Sequence, residues 1–211
     1  MFSFLIRIVK WLLVLVLPFI VLIRGAIYFH AEMGYGPWIS MTAGVLITVI
    51  LLVIYMTVIH GMFSSTLGGI KAFKTRGYVA MLVLVGFVVQ GLFFISSNNL
   101  KSESLSKELR SLHPIVRMAV SIVTIIDKDL IVTDATRRSS DYERMGLPVN
   151  ERSLHYPQKD GYAYAVDMRT KHRSSLRNFL LQNYFRMMGF KTLQHSGTAP
   201  HLHISLKKSK R

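Results

Sequence analysis

The sequence contains no cysteine. That excludes disulfide staples, cysteine nucleophiles, iron–sulfur clusters and thiolate zinc sites, and it leaves the redox compartment open, because a cysteine-free domain suits either face of a membrane. Acidic residues are scarce as well: 11 Asp+Glu stand against 26 Lys+Arg, a formal net charge of +15. Charged residues make up 18% of the chain and hydrophobic ones 51%, less charge and more apolar mass than a soluble domain carries. The scarcity is uneven. Residues 1–100 hold a single acid, Glu32, and six bases, Arg7, Lys10, Arg24, Lys71, Lys74 and Arg76; every other charged side chain lies in 101–211. A soluble globule, a disordered tail and a disulfide-stapled miniprotein are thereby excluded. There is no HExxH, no Cys/His cluster and no internal repeat.

What the first half has instead is three long apolar runs, at about residues 4–23, 38–59 and 78–95. Each approaches the ~20 residues a helix needs to cross about 30 Å of hydrocarbon, and helix is the form that satisfies the backbone there. Trp11, Tyr35, Trp38 and Tyr78 fall near run ends, where amphipathic rings favour the interface; Arg7 and Lys10 are placed to snorkel. Arg24-Gly25-Ala26 follows the first run without a small-x-small cleavage site, so it reads as a retained span rather than a signal peptide. Bases at the N-terminus and between residues 60 and 77 put those segments in the cytoplasm, leaving the 24–37 loop outside. Three crossings then deliver residue 101 onward to the extracytoplasmic face of a multi-pass cytoplasmic (inner) membrane protein. Residues 1–100 read as an anchor in the lipid bilayer, with Gly44, Gly86 and Gly91 open to close helix packing.

Residues 101–113 read as a polar linker with a short helix, and 114–211 as one small aqueous domain. Pro114 suits a first helical turn, and Ile115, Ala119, Ile122, Val123 and Ile126 repeat at helical spacing, though their β-branching leaves a strand open. A strand is expected at 130–133, loops over 139–161, and a strand carrying Ala163, Ala165 and Asp167 on one face, ending at Asp167. Ser174 is a fair N-cap for a helix whose apolar stripe is Leu176, Phe179, Leu180, Tyr184, Met187 and Met188, stopped by Gly189. The last strand spans 202–206. The mixture without a βαβ rhythm indicates an α+β domain with an antiparallel sheet. The basic tail, Lys207 to Arg211, raises anionic lipid or nucleic acid as a partner; the reading adopted is a solvated tail, and an outward-facing domain meets no nucleic acid.

Candidate metal ligands are His155, Asp167 and His203. Residues two apart on a strand share a face, so His201 joins His203 in one cleft while Leu202 faces the core. Two imidazoles and a carboxylate suit Zn2+ with a fourth position left for water, which the ion acidifies. His201, beside the metal without binding it, is placed to receive and return a proton. A second hydrogen bond should orient His155 and His203. An HxH on a strand does not by itself specify a metal site.

The local text Ser153-Leu154-His155-Tyr156, then Ala165-Val166-Asp167, then His201-Leu202-His203-Ile204-Ser205-Leu206 resembles the zinc D-Ala-D-Ala peptidase superfamily. That group holds the bacterial D,D- and L,D-carboxypeptidases, the murein endopeptidases and the hedgehog signalling domain. The segment 132–137 is similar to the family's strand-then-arginine segment, and the likeness spans about residues 112–206. The resemblance implies a hedgehog/D,D-peptidase-like domain with His155, Asp167 and His203 as zinc ligands and His201 as the catalytic histidine. It implies Arg137 as the arginine that holds a substrate carboxylate or developing oxyanion, with Arg138 and Ser153 as neighbouring substrate contacts. The implied function is a membrane-anchored zinc metallopeptidase that hydrolyses peptidoglycan peptides, as carboxypeptidase or endopeptidase; the alternative is a non-catalytic zinc-stabilised module that binds cell wall or a partner. This chain departs from the pattern in three places. Twelve positions separate His155 from Asp167, through extra residues at 157–161. Ala163 replaces a usual glycine, and Pro200 stands where many carboxypeptidases have glutamate.

Overall fold

The computed structural model describes residues 2–64 and 66–210. Three helices, α1 (Phe2–Ala31), α2 (Pro37–Ser64) and α3 (Ile70–Phe93), are long and apolar enough to cross a membrane, so the protein is membrane-associated. A 3₁₀ turn at Ser97–Asn99 and helix α4 (Ser104–Arg110) lead to α5 (Pro114–Ile126). Strand β1 (Val132–Asp134), α6 (Ser139–Arg144), β2 (Ala165–Arg169), α7 (Ser175–Met188), β3 (Lys191–His195) and β4 (His201–Ser205) complete the chain. The strands form one antiparallel sheet ordered β1-β2-β4-β3. The fold is α+β, with the three apolar helices first and a small four-stranded sheet after.

Several expectations change in detail. Helices run further than hydropathy alone indicates, because a helix continues until its backbone is capped or turned, not until its side chains become polar. Arg24 therefore lies within α1, and Lys71, Lys74 and Arg76 lie in the first turns of α3 rather than in a loop. Arg76 is buried, and its Nη1 donates to Thr57 Oγ1 at 3.0 Å and to the Leu67 carbonyl at 2.8 Å, tying α2 to α3. The side chains of Arg7 and Lys10 lie outside the described residues. Gly44 meets α1 so closely that a Cβ there would stand 2.5 Å from the Leu22 carbonyl oxygen, and Gly91 abuts Met118, but among the described residues nothing lies within 4 Å of a Cβ at Gly86.

The composition boundary near residue 100 does not coincide with a packing boundary. Helix α5 is buried on every side along most of its length. Its Ile115, Met118 and Ile122 share one core with Leu22, Ala26, Val45, Leu84, Val88 and Leu92 of the long helices, and with Val166, Leu202 and Ile204 of the sheet. Polar ties reinforce this. His30 Nε2 lies 3.1 Å from the Tyr164 hydroxyl, Trp38 Nε1 donates to the Tyr162 hydroxyl at 3.1 Å, and Arg24 Nη1 donates to the Met187 carbonyl at 3.0 Å. The basic tail is not simply solvated either. Lys207 and Lys210 both pair with Glu32, and their hydrogen bonds hold the Glu32 carboxyl down at about 2.

The stripe expected on α7 is mostly not the buried one. Leu181, Phe185 and Met188 face the core, while Leu176, Phe179, Leu180 and Met187 are exposed. Both faces of this helix are apolar, and spacing alone cannot say which one meets the sheet. Ser174 does cap it, accepting from Arg177 N–H, and Gly189 ends it at φ 101°, a left-handed conformation suited to glycine. Helix α6 and strand β3 lie where loops or nothing were expected. β3 is an edge strand with little buried apolar alternation, so it lacks the period-two signal.

Candidate metal centre

Strand β2 is central in the sheet and pairs with β4 in a register that sets Asp167 opposite His203 and Arg169 opposite His201. Asp167 sits mid-strand rather than at its end. Along β4 the core takes Leu202 and Ile204, so His201 and His203 share the other face. His155 arrives from the loop before β2. That loop is closed at its base, because the Leu154 carbonyl accepts from both Tyr164 N–H (2.7 Å) and Ala165 N–H (3.1 Å). The extra residues at 157–161 thus form a closed excursion that does not move His155 away from Asp167. Ser153 Oγ accepts the His155 backbone N–H at 3.2 Å and shapes this turn.

Three ligand atoms converge. His155 Nε2 lies 3.3 Å from His203 Nδ1 and 3.4 Å from Asp167 Oδ1, and His203 Nδ1 lies 2.8 Å from Asp167 Oδ1. Tetrahedral zinc ligands at 2.0–2.2 Å stand about 3.4 Å from one another, so the triangle is already close to the required size. The donor set, two imidazole nitrogens and one carboxylate oxygen, fits zinc. His155 is oriented by its other nitrogen, since Nδ1 donates to the Ala135 carbonyl at 2.8 Å and turns Nε2 into the site. This is the orienting bond the sequence could not name. Burial would raise the Asp167 carboxyl, but hydrogen bonds from His155 and His203 outweigh it and hold the group well below the carboxylate range. Burial disfavours charge on His155, and Asp167 more than compensates, so its pKa is raised.

His201 Nε2 stands 3.7 Å from the second oxygen, Asp167 Oδ2, and its Nδ1 bonds the Ala199 carbonyl at 2.9 Å. Arg137 reaches to 3.9 Å from the same oxygen and is paired with Asp134. Arg138 is not brought to the site. It is exposed and lines a separate hollow with Ser104 and Lys107, and its backbone N–H is taken by Asp141.

Sequence reasoning missed four features. His195, across the β3–β4 ladder, stacks on His201 with centroids 4.6 Å apart. Asp134 holds Arg137 through a 2.6 Å bond from Nε. An open cleft of about 500 Å³ beside Asp167 and His201 is walled by Lys101, Arg169, Lys171 and His172. His172 itself adopts φ 62°, rare for a non-glycine residue. The Asp134–Arg137 pair is only three positions apart and was open to a local reading; the other three carry no local signal, because each depends on strand register or on a loop's path. Compared with protein-family models, curated proteins and solved structures, the chain gives no match.

Proposed function

We propose that this protein is a membrane-anchored zinc metallopeptidase, with a hedgehog/D,D-peptidase-like domain, that hydrolyses peptide bonds of peptidoglycan outside the cytoplasmic membrane. The observation that carries the reading is the 2.8–3.4 Å triangle of His155, Asp167 and His203, with His201 and Arg137 both within 4 Å of Asp167. His155, Asp167 and His203 would hold the ion, which when bound supplies a Lewis acid and an acidified water. His201 Nε2 accepts the proton from the attacking water and returns it to the leaving amine. Arg137, whose Nη2 comes within 3.9 Å of Asp167 Oδ2, would stabilise negative charge as the carbonyl is attacked, while Asp134 fixes its guanidinium. Lys101, Arg169 and Lys171 along the adjoining cleft suit a peptide bearing free carboxylates.

The test uses the full chain in nanodiscs, because α5 is covered by the long helices. Metal content is measured by elemental analysis and cleavage by mass spectrometry of a muropeptide set. About one zinc per chain with cleavage, both lost in His203→Ala, supports the reading. Zinc retention with every muropeptide intact would instead assign a non-catalytic binding module.

A further inference from the structure

The described residues leave the outward face of α7 largely uncovered. Leu176, Phe179, Leu180 and Met187 are 66%, 61%, 56% and 50% exposed, and with about 3.6 residues per turn they fall on one side of the helix. The opposite side, Leu181, Phe185 and Met188, is sealed against the core. A contiguous patch of large apolar side chains facing water is unfavourable and marks a surface meant to be covered.

What lies at its two ends says what covers it. At the C-terminal end, Arg24 of α1 donates to the Met187 carbonyl at 3.0 Å, placing a cation on the negative end of the α7 dipole. Gly189 there faces Ile27 of α1. At the N-terminal end, Arg177 binds Asp127 at 2.7 Å and Asp129 at 2.9 Å. That fixes α7 beside the end of α5, where Ile125 and Ile126 are again exposed. The C-terminal end of α7 thus abuts α1 at Arg24 and Ile27, within its segment Val14–Ala31 that is long and apolar enough to span a bilayer.

We propose that α7 is an in-plane interfacial helix, its Leu176–Phe179–Leu180–Met187 face immersed at the headgroup–acyl boundary of the bilayer that the long helices cross. Arg24 and Arg186 flank its C-terminal end and sit at headgroup level, as cations beside such a face commonly do. The aqueous domain is therefore seated on the membrane along its own helix rather than hung from it. This inference is independent of the zinc chemistry.

The absence of native cysteine makes the test direct. Single-cysteine variants Phe179→Cys, Leu176→Cys and, in the β3–β4 connection on the cleft rim, Thr198→Cys are labelled with NBD in the full chain. They are reconstituted in nanodiscs with and without lipids spin-labelled at carbon 5 of the acyl chain. At least about twofold quenching at 179 and 176, with little at 198, is the expected result for a face lying 5–10 Å into the boundary. Equal behaviour of all three sites overturns the proposal. So does efficient disulfide dimerisation of the unlabelled Phe179→Cys variant in nanodiscs holding two copies, which would give the face to a second copy of the chain. Leu176→Cys keeps the result decisive should the Phe179→Cys variant misfold.

Discussion

His155 and His203, 48 positions apart, bring Nε2 and Nδ1 to 3.3 Å of one another. Asp167 lies within 3.4 Å of both. No other group of three His, Cys, Asp or Glu among the described residues converges in this way. Replacing any one of the three opens the triangle. His203→Ala and Asp167→Asn should each weaken zinc binding by more than about 100-fold, since loss of a mere orienting partner costs 10–100-fold. Competition with a chromophoric chelator measures it.

His201 and Arg137 stand next to the triangle without belonging to it, so metal and activity should separate. His201→Gln should keep zinc and lose hydrolysis by about 10²–10⁴-fold. Arg137→Met should lose about 10²–10³-fold. Equal zinc content with unchanged muropeptide turnover in both would remove these residues from the reaction.

Asp127 ties the end of α5 to the start of α7 through Arg173 and Arg177. Burial raises its carboxyl, but the Arg173 hydrogen bond and the charges of both arginines win, and the pKa is lowered. A carboxyl depressed by folding stabilises the native state above its unfolded value of about 3.9. That contribution disappears as pH falls through the lower folded value. Asp127→Asn should therefore cost about 2 kcal/mol near neutrality. The gap in melting temperature between wild type and variant should close as pH drops below about 4.

Gly44 and Gly86 make a matched pair. A Cβ at Gly44 runs into the Leu22 backbone, while one at Gly86 meets none of the described residues. Gly44→Ala should destabilise by about 1–3 kcal/mol. Gly86→Ala should be neutral or stabilise by up to about 1 kcal/mol through helix propensity. Thermal unfolding of both variants in one detergent compares them directly.

Deleting residues 1–99 uncovers the side of α5 that packs on Leu84, Val88 and Leu92. The remaining domain should bind ANS strongly and lose near-UV circular dichroism. A monomeric fragment with native-like spectra would show that the sheet and α7 suffice as a core.

The three long helices and the shared face of His201 and His203 were legible in the sequence, because each follows from a local periodicity or from composition; the segment from Pro114 showed helical spacing, but its β-branched residues left a strand open until packing made it a helix. Composition set the apolar mass of the first hundred residues, and a two-residue period set the alternation in β4. His155, Asp167 and His203 could be named from the sequence as candidate ligands by residue type, but nothing local showed that they meet. Their actual approach depends on a loop closed by the Leu154 carbonyl and on the β2–β4 register, which are long-range hydrogen bonds with no trace in neighbouring residues. The same holds for α7. Both of its faces are apolar, so the choice of Leu181, Phe185 and Met188 for the core was decided by what the sheet and α5 present to it. Short-range chemistry marked the long apolar spans and the strongly patterned segments, though not α6 or β3, and only tertiary packing, by selecting one register and one face among locally equal ones, brought the metal ligands into reach of each other.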